Sequence, residues 1–106
     1  MKKKSIDHTQ LLLLKLLSTE DMYGYHIILE LARRSSNVFE MKEGTLYPVL
    51  HGMEREGYVE AYEKAAPTGR MRKYYHLTRA GRAALTEEEK AWQEYSGAVN
   101  AVLHFA

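Results

Sequence analysis

Apolar residues recur along this chain with a helical period three times, then with a period of two, then with a helical period again. The first stretch is Leu11, Leu12, Leu14, Leu16 and Leu17. It predicts a helix over about Asp7 to Leu17, dense enough in leucine to be buried on more than one side, with Asp7 placed as its N-cap. Ser18-Thr19-Glu20-Asp21 is a polar break. Ile27, Ile28, Leu31 and Ala32 then predict a second helix over about Tyr23 to Ser35, and Arg33-Arg34 in its last turn suit the negative end of the helix dipole. Asn37 to Lys42 is a connection in which Val38 and Phe39 are expected to plug the core. Leu46, Val49, Leu50 and Met53 form the stripe of a third helix. With Thr45 as its N-cap, Pro48 falls in the first turn, where its missing N–H costs nothing; an earlier start would cost one intrahelical bond. Gly57 is placed to end this helix in the left-handed conformation.

Beyond Gly57, Tyr58, Glu60, Tyr62 and Lys64 alternate with Val59, Ala61 and Glu63, the pattern of a strand. Ala65-Ala66-Pro67-Thr68-Gly69 is a turn, and Met71 to Leu77 is a second strand rich in β-forming aromatics. Tyr74 and Tyr75 must point to opposite faces, so one of them belongs to the core. Thr78 caps a long last helix over about Arg79 to Leu103. On it Trp92, Tyr95, Val99 and Val102 step by three and four, and Leu85 extends the row backwards, with Glu88 as an interruption. Such a row is a seam for another helix, and a second copy of the chain is the simplest partner.

Helix, helix, helix, hairpin, helix is the order of a winged helix-turn-helix. The expected class is therefore α+β, mostly helical: a winged helix-turn-helix over 1–78 and an added C-terminal dimerisation helix over 79–106, packing as one unit. The third helix would enter a DNA major groove, and the hairpin would be the wing.

Composition narrows this picture only a little. The 106 residues make one domain, and their 45% apolar and 27% charged shares are those of a folded soluble chain. There is no cysteine, so disulfides and thiolate metal sites are out. The run Leu11 to Leu14 is too short to cross a membrane, and no apolar stretch with a cleavage site follows Lys2-Lys3-Lys4; a cytoplasmic location is expected. Net charge is only +1, but its distribution is uneven. From Lys64 to Arg82 the bases Lys64, Arg70, Arg72, Lys73, Arg79 and Arg82 occur with no acid between them, whereas Glu87, Glu88, Glu89 and Glu94 follow. His8, His26, His51, His76 and His104 never pair at ligand spacing, and no phosphate loop or nucleophile elbow is present. Neither an enzyme nor a metal or other cofactor is expected.

Candidate DNA-binding residues follow from the placement. Thr45, Tyr47, Pro48 and His51 lie on the outward side or flanks of the third helix, within reach of bases or phosphates. Tyr47 has a second reading, as a half-buried aromatic that fixes the helix, and Tyr25 reads either as a phosphate ligand or as a core-edge tyrosine. Lys64, Arg70, Arg72 and Lys73 are the phosphate candidates, because backbone contacts need cations. A winged helix that binds another protein is the rival class, and it would have no need of a basic hairpin. Leu11, Leu14, Leu85, Trp92, Tyr95, Val99 and Val102 are the candidate dimer residues. Trp92 either fills the seam or, facing its counterpart in a second copy across the symmetry axis, leaves a slot for a flat aromatic ligand whose walls Tyr95 and Leu11 or Leu14 complete.

The residues also carry a family resemblance. Tyr23-Gly24-Tyr25, Glu43-Gly44-Thr45-Leu46-Tyr47-Pro48-Val49-Leu50, Glu56-Gly57, Gly69-Arg70, Arg72-Lys73-Tyr74-Tyr75 and Leu77-Thr78 with Gly81 are similar, in order and spacing, to the signatures of the PadR family of bacterial transcriptional regulators. Trp92 resembles a tryptophan that many short members carry on the last helix. The resemblance implies a dimeric repressor on a palindromic operator of double-stranded DNA, which in some members is released by a small aromatic effector. Met71 departs from the pattern, standing where another basic residue is usual. The last helix is short, as in the smaller subfamily, so the implied dimer rests on few turns.

Overall fold

The leucine-dense first helix decides how everything else packs, because a helix apolar on more than one side must be covered on more than one side. A computed structural model describes residues 8–105. The elements are α1 (Thr9–Thr19), β1 (Met22–Tyr23), α2 (Gly24–Arg34), α3 (Glu43–Arg55), β2 (Val59–Ala65), β3 (Met71–Leu77) and α4 (Arg79–Leu103). Leu13, Leu14, Leu16 and Leu17 of α1 are buried against Ile27 and Leu31 of α2, Leu46, Leu50 and Met53 of α3, and Tyr75 and Leu77 of β3. The expected cap Asp7 lies outside the described residues; the N-cap of α1 is His8.

The three strands form an antiparallel sheet in the order β1-β3-β2. In register, Met22 and Ala61 flank Tyr75, while Tyr23 and Tyr62 flank Tyr74. Met22, Tyr75, Val59 and Leu77 are buried; Tyr74 lies on the other face, which stays open. The opposed roles of Tyr74 and Tyr75 thus stand as the alternation required. Strand β1 has no signal in the sequence: two residues are too few to show a period, and they fall where the polar break gives way to the expected start of α2.

Two expectations about the connection to α3 and its start fail. Helix α3 starts at Glu43 with Lys42 as N-cap, so Thr45 is inside the helix and does not cap it. The Thr45 and Leu46 amides both donate to the Lys42 carbonyl, at 3.0 and 2.9 Å. Pro48 is therefore past the first turn, and the Gly44 carbonyl loses its intrahelical donor. Gly44 is exposed, so water can replace that donor, while the earlier start carries Leu46 fully into the core. Val38 and Phe39 are not core plugs; they are 73% and 46% exposed. Ser36 and Asn37 take left-handed backbone, φ 51° and 67°, which ends α2 and turns the chain outward before either side chain can reach inside.

Helix α4 is fastened at its start. The Thr78 hydroxyl accepts from the Gly81 amide at 3.0 Å and donates to the Gly57 carbonyl at 2.6 Å, joining the end of α3 to the start of α4. Gly57, at φ +83°, makes the left-handed stop that brings its carbonyl there. Further along, Gln10 bonds Glu88 at 2.6 Å and Lys15 meets Glu89 at 3.5 Å, tying α1 to α4. Leu14 and Leu85, expected as seam residues, close the protomer's own core instead. From Lys90 onward α4 is almost wholly exposed, and the molecule measures 59 × 32 × 23 Å.

Candidate nucleic-acid interface

The third helix turns Leu46, Leu50 and Met53 inward, so Thr45, Pro48 and His51 face outward. All three are exposed polar or small groups on a firmly seated helix, the arrangement that base-edge and phosphate contacts require. Tyr47 is different. It is half-buried and packs its phenol directly on Gly24 at the start of α2, so closely that a β-carbon on Gly24 would overlap the hydroxyl and ring. Burial, reinforced by Glu43, pushes its phenol pKa up. Tyr47 is thus a spacer between α2 and α3, its ring centroid 6.3 Å from that of His51. The half-buried reading of Tyr47 is the one the geometry favours. Tyr25, one residue past Gly24, is 56% exposed.

The hairpin carries its cations where alternation puts them. Lys64 and Arg72 are directly opposite in register, on the same face as Tyr62 and Tyr74. Lys73 lies on the other face, across from Glu63. The stretch is free of acid along the chain, but register returns one acid to it, a neighbour that linear reading misses. Arg70 is exposed at the turn, where the Ala66 amide donates to its carbonyl at 2.7 Å and Gly69 supplies φ +93°. Among the described residues none of Lys64, Arg70, Arg72 and Lys73 makes an ion pair. Cations without an ion pair on a two-stranded projection are suited to phosphate.

Residues that sequence reasoning misses hold the base of this hairpin. Asp21 accepts from the Tyr62 hydroxyl at 2.7 Å and meets His76 Nδ1 at 2.9 Å, so the loop before β1 pins both β2 and β3. Burial pushes the Asp21 carboxyl up, but the bonds from Tyr62 and His76 outweigh it and leave the pKa below the usual value. The signal that could have found this cluster is the tyrosine alternation itself, once β1 is known.

Leu11, Trp92, Tyr95, Val99 and Val102 do not join this surface. Trp92, Tyr95, Val99 and Val102 are exposed along α4, by 36% to 78%. Beside Trp92 lies a groove of about 540 Å³ walled by Leu11, Leu12, Leu31, Phe39 and Met41, with Lys15 and Glu89 at its edge. His8 meets the Trp92 ring edge-on at 4.8 Å.

Helix-turn-helix, a three-stranded sheet with its hairpin wing, and an appended helix together define a winged-helix protein, and no helix among the described residues is long and apolar enough to cross a membrane. Comparison with known proteins gives the family. Residues 13–87 match the transcriptional regulator PadR-like family, and the chain belongs to it. It is 40% identical over 87 residues to an uncharacterised protein of Lysinibacillus sphaericus, covering 82% of this chain and 80% of that one. It is 39% identical over 74 residues to the transcriptional regulator Rv3488 of Mycobacterium tuberculosis, covering 70% of this chain and 65% of that one. A solved PadR-like transcriptional regulator from Bacillus cereus superposes with a TM-score of 0.82 at 32% identity, over 93% of this chain and 94% of that one. The protein is a transcriptional regulator with the winged-helix fold.

Proposed function

We propose that this regulator is a cytoplasmic homodimeric repressor that binds a palindromic operator in double-stranded DNA. Residues 1–78 are the DNA-binding unit and α4 the dimerisation helix. The observation that carries the reading is the wing: Lys64, Arg70, Arg72 and Lys73 are cations without ion pairs among the described residues, beside a recognition helix with exposed Thr45, Pro48 and His51. Such cations add affinity for any duplex, and the helix adds preference among sequences.

The test is a titration of genomic fragments and of mixed-sequence duplex at several salt concentrations. Arg70→Ala and Lys73→Ala should each weaken both kinds of complex alike and reduce the salt slope by about 0.9 for every phosphate no longer neutralised. His51→Ala should change which sequences are preferred and leave the slope alone. A wild-type chain whose duplex binding shows no salt dependence would instead favour the protein-binding class of winged helix.

The groove beside Trp92 supports a further part of the reading, a small aromatic effector. Its walls are apolar and a tryptophan stands at its mouth, which suits a planar ring. Trp92 is the only tryptophan, so its emission reports directly. Planar aromatic compounds should quench it saturably and weaken operator binding over the same concentrations; quenching that leaves DNA affinity unchanged would remove the effector role.

A further inference from the structure

The open face of the sheet holds a ladder of rings and cations that DNA binding by itself leaves unexplained. Tyr74 is at its centre. Tyr62 stacks on it with centroids 5.7 Å apart and planes 16° apart, and Tyr23 meets it edge-on at 5.4 Å. The Arg72 guanidinium sits 4.3 Å from the centroid of Tyr23, and the Lys64 ammonium 5.0 Å from that of Tyr74.

Two cations directly opposite on adjacent strands ordinarily destabilise a hairpin. Here they sit at the tip end of the strands, and the acids of the same face sit at the other end. Asp21 is engaged there with Tyr62 and His76, and Glu60 lies across from His76. Ring faces are the direct partners of both charges, and the Asp21 carboxylate feels Lys64 without pairing with it. The difference matters chemically. A carboxylate would occupy the N–H groups of its cation, whereas a ring beneath a guanidinium leaves the in-plane donors open. The charge is held in place and its hydrogen bonds are still unspent.

We propose that Tyr23 and Tyr74 are positioning residues that hold Arg72 and Lys64 as a pre-set pair of phosphate ligands on the outer face of the wing. The inference rests on the DNA-binding reading and adds what fixes the geometry of these two cations. Two long side chains already ordered in the free protein lose less freedom on binding than two mobile ones. Tyr62, pinned by Asp21, stacks on Tyr74 and so steadies the ring that Lys64 rests against.

The test uses the full-length chain and a mixed-sequence duplex of about three helical turns, so that no operator is needed. Arg72→Ala and Lys64→Ala should lower both affinity and salt slope, the slope by about 0.9 for each phosphate that keeps its counterion. Tyr23→Phe keeps the ring and should bind as the parent does. Tyr23→Leu removes the ring and should weaken binding roughly three- to tenfold per chain with the slope unchanged, since the charges are all present. In an Arg72→Ala background the same Tyr23→Leu change should cost nothing more. A purely structural tyrosine would cost the same in both backgrounds, and that result overturns the proposal. If Arg72→Ala and Lys64→Ala leave affinity and slope unchanged, the wing holds no phosphate there and both readings of this face fail together. A readout without DNA guards against a poorly folded variant. The Arg72 side-chain protons should show an upfield ring-current shift in the parent and in Tyr23→Phe. An Arg72 with the same shifts in Tyr23→Leu as in the parent is not held by the ring, and the proposal falls.

Discussion

Gly81→Ala should lower the melting temperature by roughly 5–25 °C, although it replaces glycine with the best helix former inside a helix. On propensity alone the change stabilises by about 0.5–1 kcal/mol. The site reverses the sign. A β-carbon on Gly81 would overlap the Tyr58 carbonyl and the side chain of Leu77, and the carbonyl is backbone that accepts from the Thr78 amide at 3.0 Å. The carbonyl is backbone and the Leu77 methyl is packed in the core, so α4 itself has to lift from the start of β2. Overpacking of this kind costs about 1–3 kcal/mol, and displacing the Thr78 cap adds about 1 kcal/mol. For a domain near this size each 1 kcal/mol lowers the transition by roughly 4–8 °C. Gly97 is the matched control. It lies on the same helix with nothing within 4 Å of its added β-carbon, and Gly97→Ala should raise the transition by a few degrees. Calorimetry of the two variants that gave shifts of the same sign would contradict this packing at Gly81.

Val99→Glu should dissociate the proposed dimer. Val99 is 36% exposed in the single chain, between Tyr95 and Val102, which are exposed by 63% and 78%. In a lone protomer a glutamate there meets water and costs little. In a two-fold interface it enters twice, because each copy presents the same face. An unpaired carboxylate in an apolar seam costs roughly 3 kcal/mol or more, so the dissociation constant should rise at least about a hundredfold. Sedimentation velocity across a dilution series reads this directly. A parent chain that sediments as a monomer throughout the micromolar range would mean that α4 serves some other purpose.

Much of this fold was legible because its elements are long and its punctuation is chemical. Thr78 as a cap, Gly57 as a stop and the limits of α4 all came from residues whose local chemistry admits few alternatives. What failed did so where tertiary packing overrides the local signal. Starting α3 at Glu43 conflicts with Pro48, and the core site for Leu46 wins over the missing hydrogen bond. Val38 and Phe39 are apolar, yet two left-handed residues just before them decide where they go. Leu85 shares its heptad row with Trp92, but one end of α4 packs at home while the other reaches out, and periodicity does not distinguish the two. In the candidate site, the cations themselves are plain in the sequence. That Lys64 faces Arg72, that Lys73 faces Glu63 and that rings carry the charges all depend on register, which is a property of paired strands and of neither strand alone.

The two residues of β1 bear on the order in which the molecule comes together. The three helices meet through contacts between chain neighbours, and the β2–β3 hairpin closes through its own short turn, so each can form early. The sheet is not complete until Met22 finds Tyr75, and half of the domain lies between them in sequence. That pairing closes a long loop and returns only the few hydrogen bonds of a two-residue strand, so it belongs late in folding. In a growing chain α1, α2 and α3 emerge before β3 exists, so the hairpin gains its third strand only after the helices beneath it have been made.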